Sequence, residues 1–223
     1  MTRTLALDTT FGHLAIHLQE GPEVLAQHYA LSRRRNASVL FGVLEELLEG
    51  AGVALKDLDA LIVNQGPGSY TGVRISLSVV KTLAQVHRLP IVMVDALSLI
   101  AAQCQDAPPQ TPVRLNCTRR ELFEASFCWN QGYPELQSAP VLSAWELLSE
   151  EERTRPCLFH SITRRTDPVF AQQSLLPKDH PAPDGWLLTR LGLHKLNQHG
   201  PTPFEQVHPL YLKRDIESRT STL

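Results

Sequence analysis

"VNQGPGSYTGVRISLSVVKTLA", Val63 to Ala84, is the stretch on which the fold of this chain turns. An apolar run, Leu61 to Val63, feeds a tight loop holding Gly66, Pro67, Gly68, Ser69, Thr71 and Gly72, and an amphipathic helix follows over 69–87. Strand, glycine loop and helix N-terminus is the arrangement in which proteins hold phosphates. A Walker A loop, however, needs a lysine directly after its last glycine to neutralise the β/γ-phosphates. Here Gly68 is followed by Ser69, Tyr70, Thr71, Gly72, Val73 and Arg74. A dinucleotide fingerprint needs GxGxxG. Gly66, Gly68 and Gly72 give GxGxxxG, one residue too long, although Asp95 ends a following strand about where a ribose-binding acid would stand. Two physical readings remain. Either the unpaired amides at the helix start hold an anion weakly, or Ser69 or Thr71 caps the helix and the glycines permit a tight reversal. Spacing alone favours the cap.

Upstream, "TLALD" and "HLAIHL" have strand propensity and are joined across "TTFG", a hairpin-like connection. "EVLAQHYAL" supplies a third strand after the turn "EGP". Helical spacing predicts a helix over Ser38 to Ala51, closed by Gly52, with Val39/Leu40, Val43/Leu44 and Leu47/Leu48 as its sheet-facing stripe. "LDALIVN" and "PIVMVD" read as strands buried on both faces, and "ALSLIAAQC" as a further helix. Three strands, a helix, a strand, a helix and a strand is an antiparallel meander extended by crossovers, the layout of a ribonuclease-H-like sheet.

"QDAPPQTP", Gln105 to Pro112, is the best linker, because its prolines block both helix and central strand. Beyond it a weaker version of the same order begins. "VRLNCT" and "ELFEASFCW" form a hairpin across Arg119-Arg120, a third strand lies near Tyr133 to Leu136, and a helix over Ala144 to Glu151 precedes the strand "CLFH". Prolines and polar residues make Arg164 to Pro183 irregular. A last helix runs from Asp184, its N-cap, to His199, with Gly200 just past its end. The tail "HPLYLKRD" packs through Leu210, Tyr211 and Leu212. The expected division is thus an N-terminal subdomain over 1–104 and a smaller, less regular one over 105–223, a duplication of one α/β unit.

The 223 residues suffice for one large or two small domains. A formal net charge of −2 argues against a dedicated nucleic-acid wrapper. Cys104, Cys117, Cys128 and Cys157 form no CxxC pair and suggest neither zinc nor a disulfide framework. No run approaches the ~20 apolar residues of a membrane span, and "MTRTLALDTTFG" reads as a strand and not a signal peptide. A cytoplasmic location is expected.

The whole signature "NQGPGSYTGVRISLSVVKTLA" closely resembles the GPGS(F/Y)TG-(L/V)RI motif of the TsaB family, also called YeaZ. "LALDTT", "RNASVLFGVLEELL", "PIVMVDALSLIA", "RRELFEASF" and "PLYLKRD" support the resemblance, which covers most of 4–102 and is thin over 133–206. The chain departs from the family pattern at Ala37, Ser76 and Asn116-Cys117. The resemblance implies two tandem ribonuclease-H-like subdomains of the actin/sugar-kinase superfold. It also implies a non-catalytic scaffold and activator that pairs with TsaD. That relative transfers a threonylcarbamoyl group to the adenosine beside the tRNA anticodon, using a metal held by an HxxxH pair. TsaE, an accessory ATPase, would join the pair, tRNA would be reached only through the complex, and two copies would associate when TsaD is absent. No cofactor of its own is implied beyond ATP or ADP held weakly or at the joint with TsaD.

This chain does contain an HxxxH, His13 to His17, but the two imidazoles alternate with Leu14, Ile16 and Leu18 in a strand pattern. Four residues of strand span ~13 Å, too far for one metal. His194 and His199 are five apart on a helix and point differently. No catalytic residue is therefore assigned. Asp8 and Thr9 stand where actin-like ATPases place an acid and a phosphate-binding hairpin. With Gly68, Ser69 and Thr71 they form the candidate nucleotide or anion contact, against the simpler reading of a strand-end Asx turn. Phe41 falls outside the helical stripe beside Gly42, which suggests a contact surface or an ordinary exposed hydrophobe. On the next helix Ser76, Ser78 and Lys81 leave small or polar steps beside the stripe Val73, Leu77, Val80 and Ala84. In the family these two helices form the intersubunit bundle, which implies a partner face at Arg35, Ser38, Phe41, Gly42, Glu45, Arg74 and Ser78. The basic pairs and runs at Arg33-Arg34-Arg35, Arg119-Arg120 and Arg164-Arg165 read as solvated turns or as a backbone contact to tRNA. A stand-alone nucleotide-binding ATPase or peptidase-like enzyme of the same superfold is the rival reading.

Overall fold

The computed structural model describes residues 1–31, 36–116, 121–162, 172–177 and 180–210. Arg33-Arg34-Arg35, Cys117, Arg119-Arg120, Arg164-Arg165, Tyr211 and Leu212 lie outside them. Two compact units are present among the described residues, one formed by Met1–Ala96 with Pro183–Leu210, the other lying within Leu97–Ala182.

In the first unit β1 (Arg3–Asp8), β2 (His13–Glu20), β3 (Glu23–Leu31), β4 (Ala60–Asn64) and β5 (Ile91–Val94) form one sheet in the order β3-β2-β1-β4-β5. The meander pairs antiparallel, with Leu5 opposite Leu18 and a bulge after Leu18, and β4 and β5 add in parallel. This is the ribonuclease-H-like order expected. Strand alternation sorts the side chains onto two faces. Leu5, Leu7, Leu14, Ile16, Leu18, Leu61 and Val63 meet α1 (Asn36–Gly50) and α2 (Tyr70–His87) in the main core.

The other face belongs to the last long helix, α5 (Gly185–His199), capped by Asp184, whose carboxylate accepts from the Leu187 amide at 2.9 Å. Its glycines let it lie close: a Cβ on Gly192 would stand 2.4 Å from Ile62 Cγ2, and one on Gly185 2.7 Å from His17 Cβ. The expected division at 104/105 is corrected here. The helix at 184–199 packs on the first sheet, where β4 is apolar on both faces from Ala60 to Val63 and needs a second cover. Residues after α5 also return to this unit, where Thr202 N donates to Ile91 O at 2.7 Å and Leu210 N to Gln65 O at 2.9 Å.

His17 is fully buried under α5. Thr189 spends its hydroxyl proton on Gly185 O at 2.8 Å, so its oxygen accepts from His17 Nδ1–H at 3.0 Å. Burial pushes the imidazole pKa down, with Asp184 pulling weakly the other way. The unfolded chain then binds a proton near the ordinary value of about 6.5 that the folded chain refuses. Stability is full above that value and falls as pH drops through it. Thermal melts should show a midpoint that declines from pH 7.5 to 5.5, and a His17→Gln variant should flatten that decline. An unchanged slope in the variant would remove His17 as its source.

The second unit repeats the plan. β6 (Thr111–Asn116), β7 (Glu121–Asn130) and β8 (Tyr133–Leu136) form an antiparallel meander, and β10 (Leu158–Ser161) adds parallel to β6, giving β10-β6-β7-β8. Before β6 stands α3 (Ala96–Ala101). The helix expected over Ala144 to Glu151 is not formed. Val141–Ala144 is instead a strand, β9, paired with Glu121 to Glu124, a single 3-10 turn follows at Trp145–Leu147, and a short helix α4 (Glu150–Thr154) starts six residues after the strand ends. Ser149 and Glu152 explain the delay through a capping box: Ser149 N donates to Glu152 Oε2 at 2.7 Å and Glu152 N to Ser149 Oγ at 3.2 Å.

Candidate partner-docking site

The glycine loop is packed against the turn between β1 and β2. Ser69 is the N-cap of α2, its Oγ accepting from Gly72 N at 3.2 Å, while its own amide donates to Thr10 O at 2.9 Å. Thr9 Oγ1 donates to Gly72 O at 2.5 Å. A Cβ on Gly68 would stand 2.2 Å from Thr10 Cγ2, and one on Gly72 2.0 Å from Thr9 O. Gly72 is thus required by close approach of one backbone to another, and Gly68 by the buried Thr10 side chain packed against it.

Beneath the loop Asp8, 1% exposed, accepts from Thr10 N at 2.6 Å and Asn64 Nδ2 at 3.1 Å, with His13 Nε2 at 3.6 Å. Burial alone would raise its pKa, but His13, Asn64 and the Thr10 amide outweigh it and hold the carboxyl below its ordinary value. Asn64 Oδ1 in turn accepts from Gly66 N at 2.9 Å. Asp8, Thr9, Gly68 and Ser69 are therefore brought together. Thr71 is turned out to the surface.

What the cap positions is the exposed side of α2 next to that of α1. On α1, Leu40, Leu44 and Leu48 face the sheet, Val43 and Leu47 are half-buried, and Phe41 stands 60% exposed. Val39, expected in the sheet-facing stripe, is exposed instead, because residues 40, 44 and 48 alone point squarely at the core. Between the helices runs a groove of about 460 Å³ lined by Ala37, Leu40, Phe41, Tyr70, Thr71, Arg74, Ile75, Ser78 and Val79. The Arg74 guanidinium lies 4.0 Å from the centre of the exposed Tyr70 ring.

Of the expected partner-face residues, Phe41, Arg74 and Ser78 line this groove together. Glu45 lines an adjoining cavity with Phe41. Ser38 and Gly42 are exposed on α1 beside it, and Arg35 lies outside the described residues. Ser76 is no surface step. It is fully buried and its hydroxyl donates back to Val73 O at 3.3 Å. Sequence reasoning missed Tyr70, Ile75 and Val79, although Tyr70, an aromatic immediately after the capping serine, was a usable signal.

Gly42 has no internal steric reason to be glycine, since an added Cβ would meet nothing within 4 Å. A glycine in a helix interior costs about 1 kcal/mol against alanine. Gly42→Ala should therefore raise the melting midpoint of the free chain by ~2–4 °C while weakening any complex made through α1. A lower midpoint would mean the chain itself needs this glycine.

A family model described as TsaD, tRNA N6-adenosine threonylcarbamoyltransferase, matches residues 26–118. The tRNA threonylcarbamoyladenosine biosynthesis protein TsaB of Bacillus subtilis is 31% identical over 160 residues, 70% of this chain and 69% of that protein. The TsaB protein of Haemophilus influenzae is 32% identical over 202 residues, 83% of each. A tRNA N6-adenosine threonylcarbamoyltransferase of Streptococcus pneumoniae is 34% identical over 84 residues, 37% of this chain and 23% of that one. Among solved structures, YeaZ from Pseudomonas aeruginosa shares the fold at a TM-score of 0.75 and 23% identity, covering 95% of this chain and 100% of that chain. With the repeated sheets, that likeness fits the actin/sugar-kinase superfold. No helix among the described residues is long and apolar enough to cross a membrane.

Proposed function

The chain belongs to the TsaB family, and from that membership we propose that it acts in tRNA threonylcarbamoyladenosine biosynthesis as a scaffold and activator that docks TsaD on the exposed face of α1 and α2. The carrying observation is the apolar groove between these helices, with Phe41 60% exposed at its edge. The stretch 26–118, similar to TsaD itself, spans both helices. TsaD thus brings comparable elements to such a joint, and like elements pair readily about a two-fold axis.

The chemistry belongs to TsaD in this reading. Asp8 and His13 are 1% and 0% exposed, and the Ser69 and Gly72 amides are engaged within the chain. Both facts support a subunit without catalysis over a stand-alone ATPase or peptidase-like enzyme. TsaE joins the pair, ATP or ADP binds weakly or at the joint, tRNA is reached through the complex, and the assembly works in the cytoplasm.

Size-exclusion chromatography with light scattering tests this directly, on the chain alone and mixed with TsaD of the same organism. A discrete one-to-one complex is expected. Its absence, with and without ATP and TsaE, would overturn the reading. A dimer of this chain that persists beside unbound TsaD would assign the face to a second copy instead.

A further inference from the structure

After α5 the chain stays on the first unit, and residues 200–210 run along the outer edge of β5. Thr202 N donates to Ile91 O at 2.7 Å, and the Thr202 hydroxyl accepts from Met93 N at 3.2 Å. That pairing closes a strand edge whose backbone groups would otherwise stand open. A single 3-10 turn at Phe204–Gln206 follows, and Val207 then enters the main core at 1% exposure. Leu210 N donates to Gln65 O at 2.9 Å, directly before the glycine loop that starts α2.

Between these two anchors stands Lys81 of α2. Its ammonium donates to Val207 O at 3.0 Å and lies 4.9 Å from the centre of the Phe204 ring. A carbonyl carried inward with Val207 needs a donor. Lys81 supplies a charged one, which makes the bond stronger than one between neutral groups. Its place on the helix gives the contact a consequence. Val79 lines the groove with residues of α1, and Leu83 lines the adjoining cavity with Leu44 and Leu48. Lys81 is two residues from each, about 200° around the helix, and it lines neither space. α2 is therefore held between α1 on one flank and residues 204–207 on the other.

We propose that residues 200–210 are a strap that positions α2, and that Lys81 and Val207 are the residues through which the strap sets the spacing of the two exposed helices. The proposal rests on the docking reading above and adds what holds that face in shape. α2 packs mainly on β4 and β1 and touches α1 little, so α1 alone does not fix its lateral position. Phe41 and Arg74 stand on different helices, and the distance between them follows wherever α2 settles. With the strap in place, α2 cannot slide away from α1, and its start is braced through Gln65. With the strap loosened, both supports go together. Residues remote from the joint thus control its affinity.

Amide hydrogen exchange of the whole chain, together with calorimetric titration against TsaD of the same organism, tests the assignment. Lys81→Met keeps the aliphatic stem and removes the donor. It should speed exchange across 70–87 and weaken binding about tenfold, within the usual range for coupled sites. Lys81→Arg, which keeps a charged donor, should restore most of both. Val207→Ala leaves the Lys81 charge in place and should act in the same direction as Lys81→Met. Weaker binding by Lys81→Met without faster exchange would mean that Lys81 meets the partner itself, and overturns the strap. Faster exchange spread evenly over the first unit would mark general destabilisation and overturn it equally. If Lys81→Met and Val207→Ala bind like the parent while Phe41→Glu does not, the strap is wrong and docking stands. If Phe41→Glu also binds unchanged, the docking reading falls and takes the strap's role with it.

Discussion

Replacing Gly72 by alanine is expected to cost about 3 kcal/mol of stability, near the top of what overpacking does, and to lower the melting midpoint by ~6–12 °C for a chain of this size. Its Cβ would stand 2.0 Å from Thr9 O and 2.9 Å from Thr9 C. Both are backbone atoms, so no rotamer change makes room. The turn after β1 and the first turn of α2 must separate, which breaks the Thr9 Oγ1 to Gly72 O bond. Val73 and Leu77, 5% and 3% exposed, would then shift out of the core. Gly50→Ala is the control, because a Cβ there meets nothing within 4 Å, and its midpoint should stay within a degree or two of the parent's. A Gly72→Ala chain melting like the parent would show that the loop does not lie against the β1–β2 turn as described.

The second large effect concerns binding. Phe41→Glu should leave the free chain folded, since the side chain is 60% exposed and surface changes of this kind stay within about 0.5 kcal/mol. In the complex it removes an aromatic anchor and sets a carboxylate in an apolar groove one turn before Glu45. Loss of such an anchor is worth at least ~2 kcal/mol, and the added charge takes the expected weakening to about 100-fold, or ~2.7 kcal/mol. Val86→Glu makes the matched control: Val86 is 68% exposed on the same pair of helices and lines neither cavity. Titration against TsaD should show the parent affinity for Val86→Glu and the loss only for Phe41→Glu. Equal affinities for all three chains would remove α1 from the joint.

Much of the first unit was legible because its information is local. Alternation marked β1 and β2, the spacing of Leu40, Leu44 and Leu48 marked α1, and Ser69 before Tyr70 marked the start of α2. Phe41 stood outside the stripe in the sequence and stands exposed in the structure. The strand at Val141–Ala144 was not legible, since "SAWELLSE" has helical composition and only the Ser149–Glu152 capping box, together with pairing to β7, decides where the helix starts. The groove was half legible. Phe41 declares itself by periodicity and Tyr70 by its place after the capping serine, whereas Ile75 and Val79 matter only once α2 lies beside α1.

The sequence by itself determined the order of elements in the first unit, the caps of α2 and α5 and the repeat of one unit, because each depends on neighbours within a turn or a strand. Tertiary structure alone decided what the glycines and histidines do. Gly68 and Gly72 look like a phosphate cradle until Thr9 and Thr10, about sixty residues away, are seen to occupy the space against them. His13 and His17 look like the outer face of a hairpin until α5, about 170 residues later, covers that face and gives His17 a hydroxyl partner. Periodicity states which side chains share a face, but what covers that face, and how closely, is set by segments far along the chain.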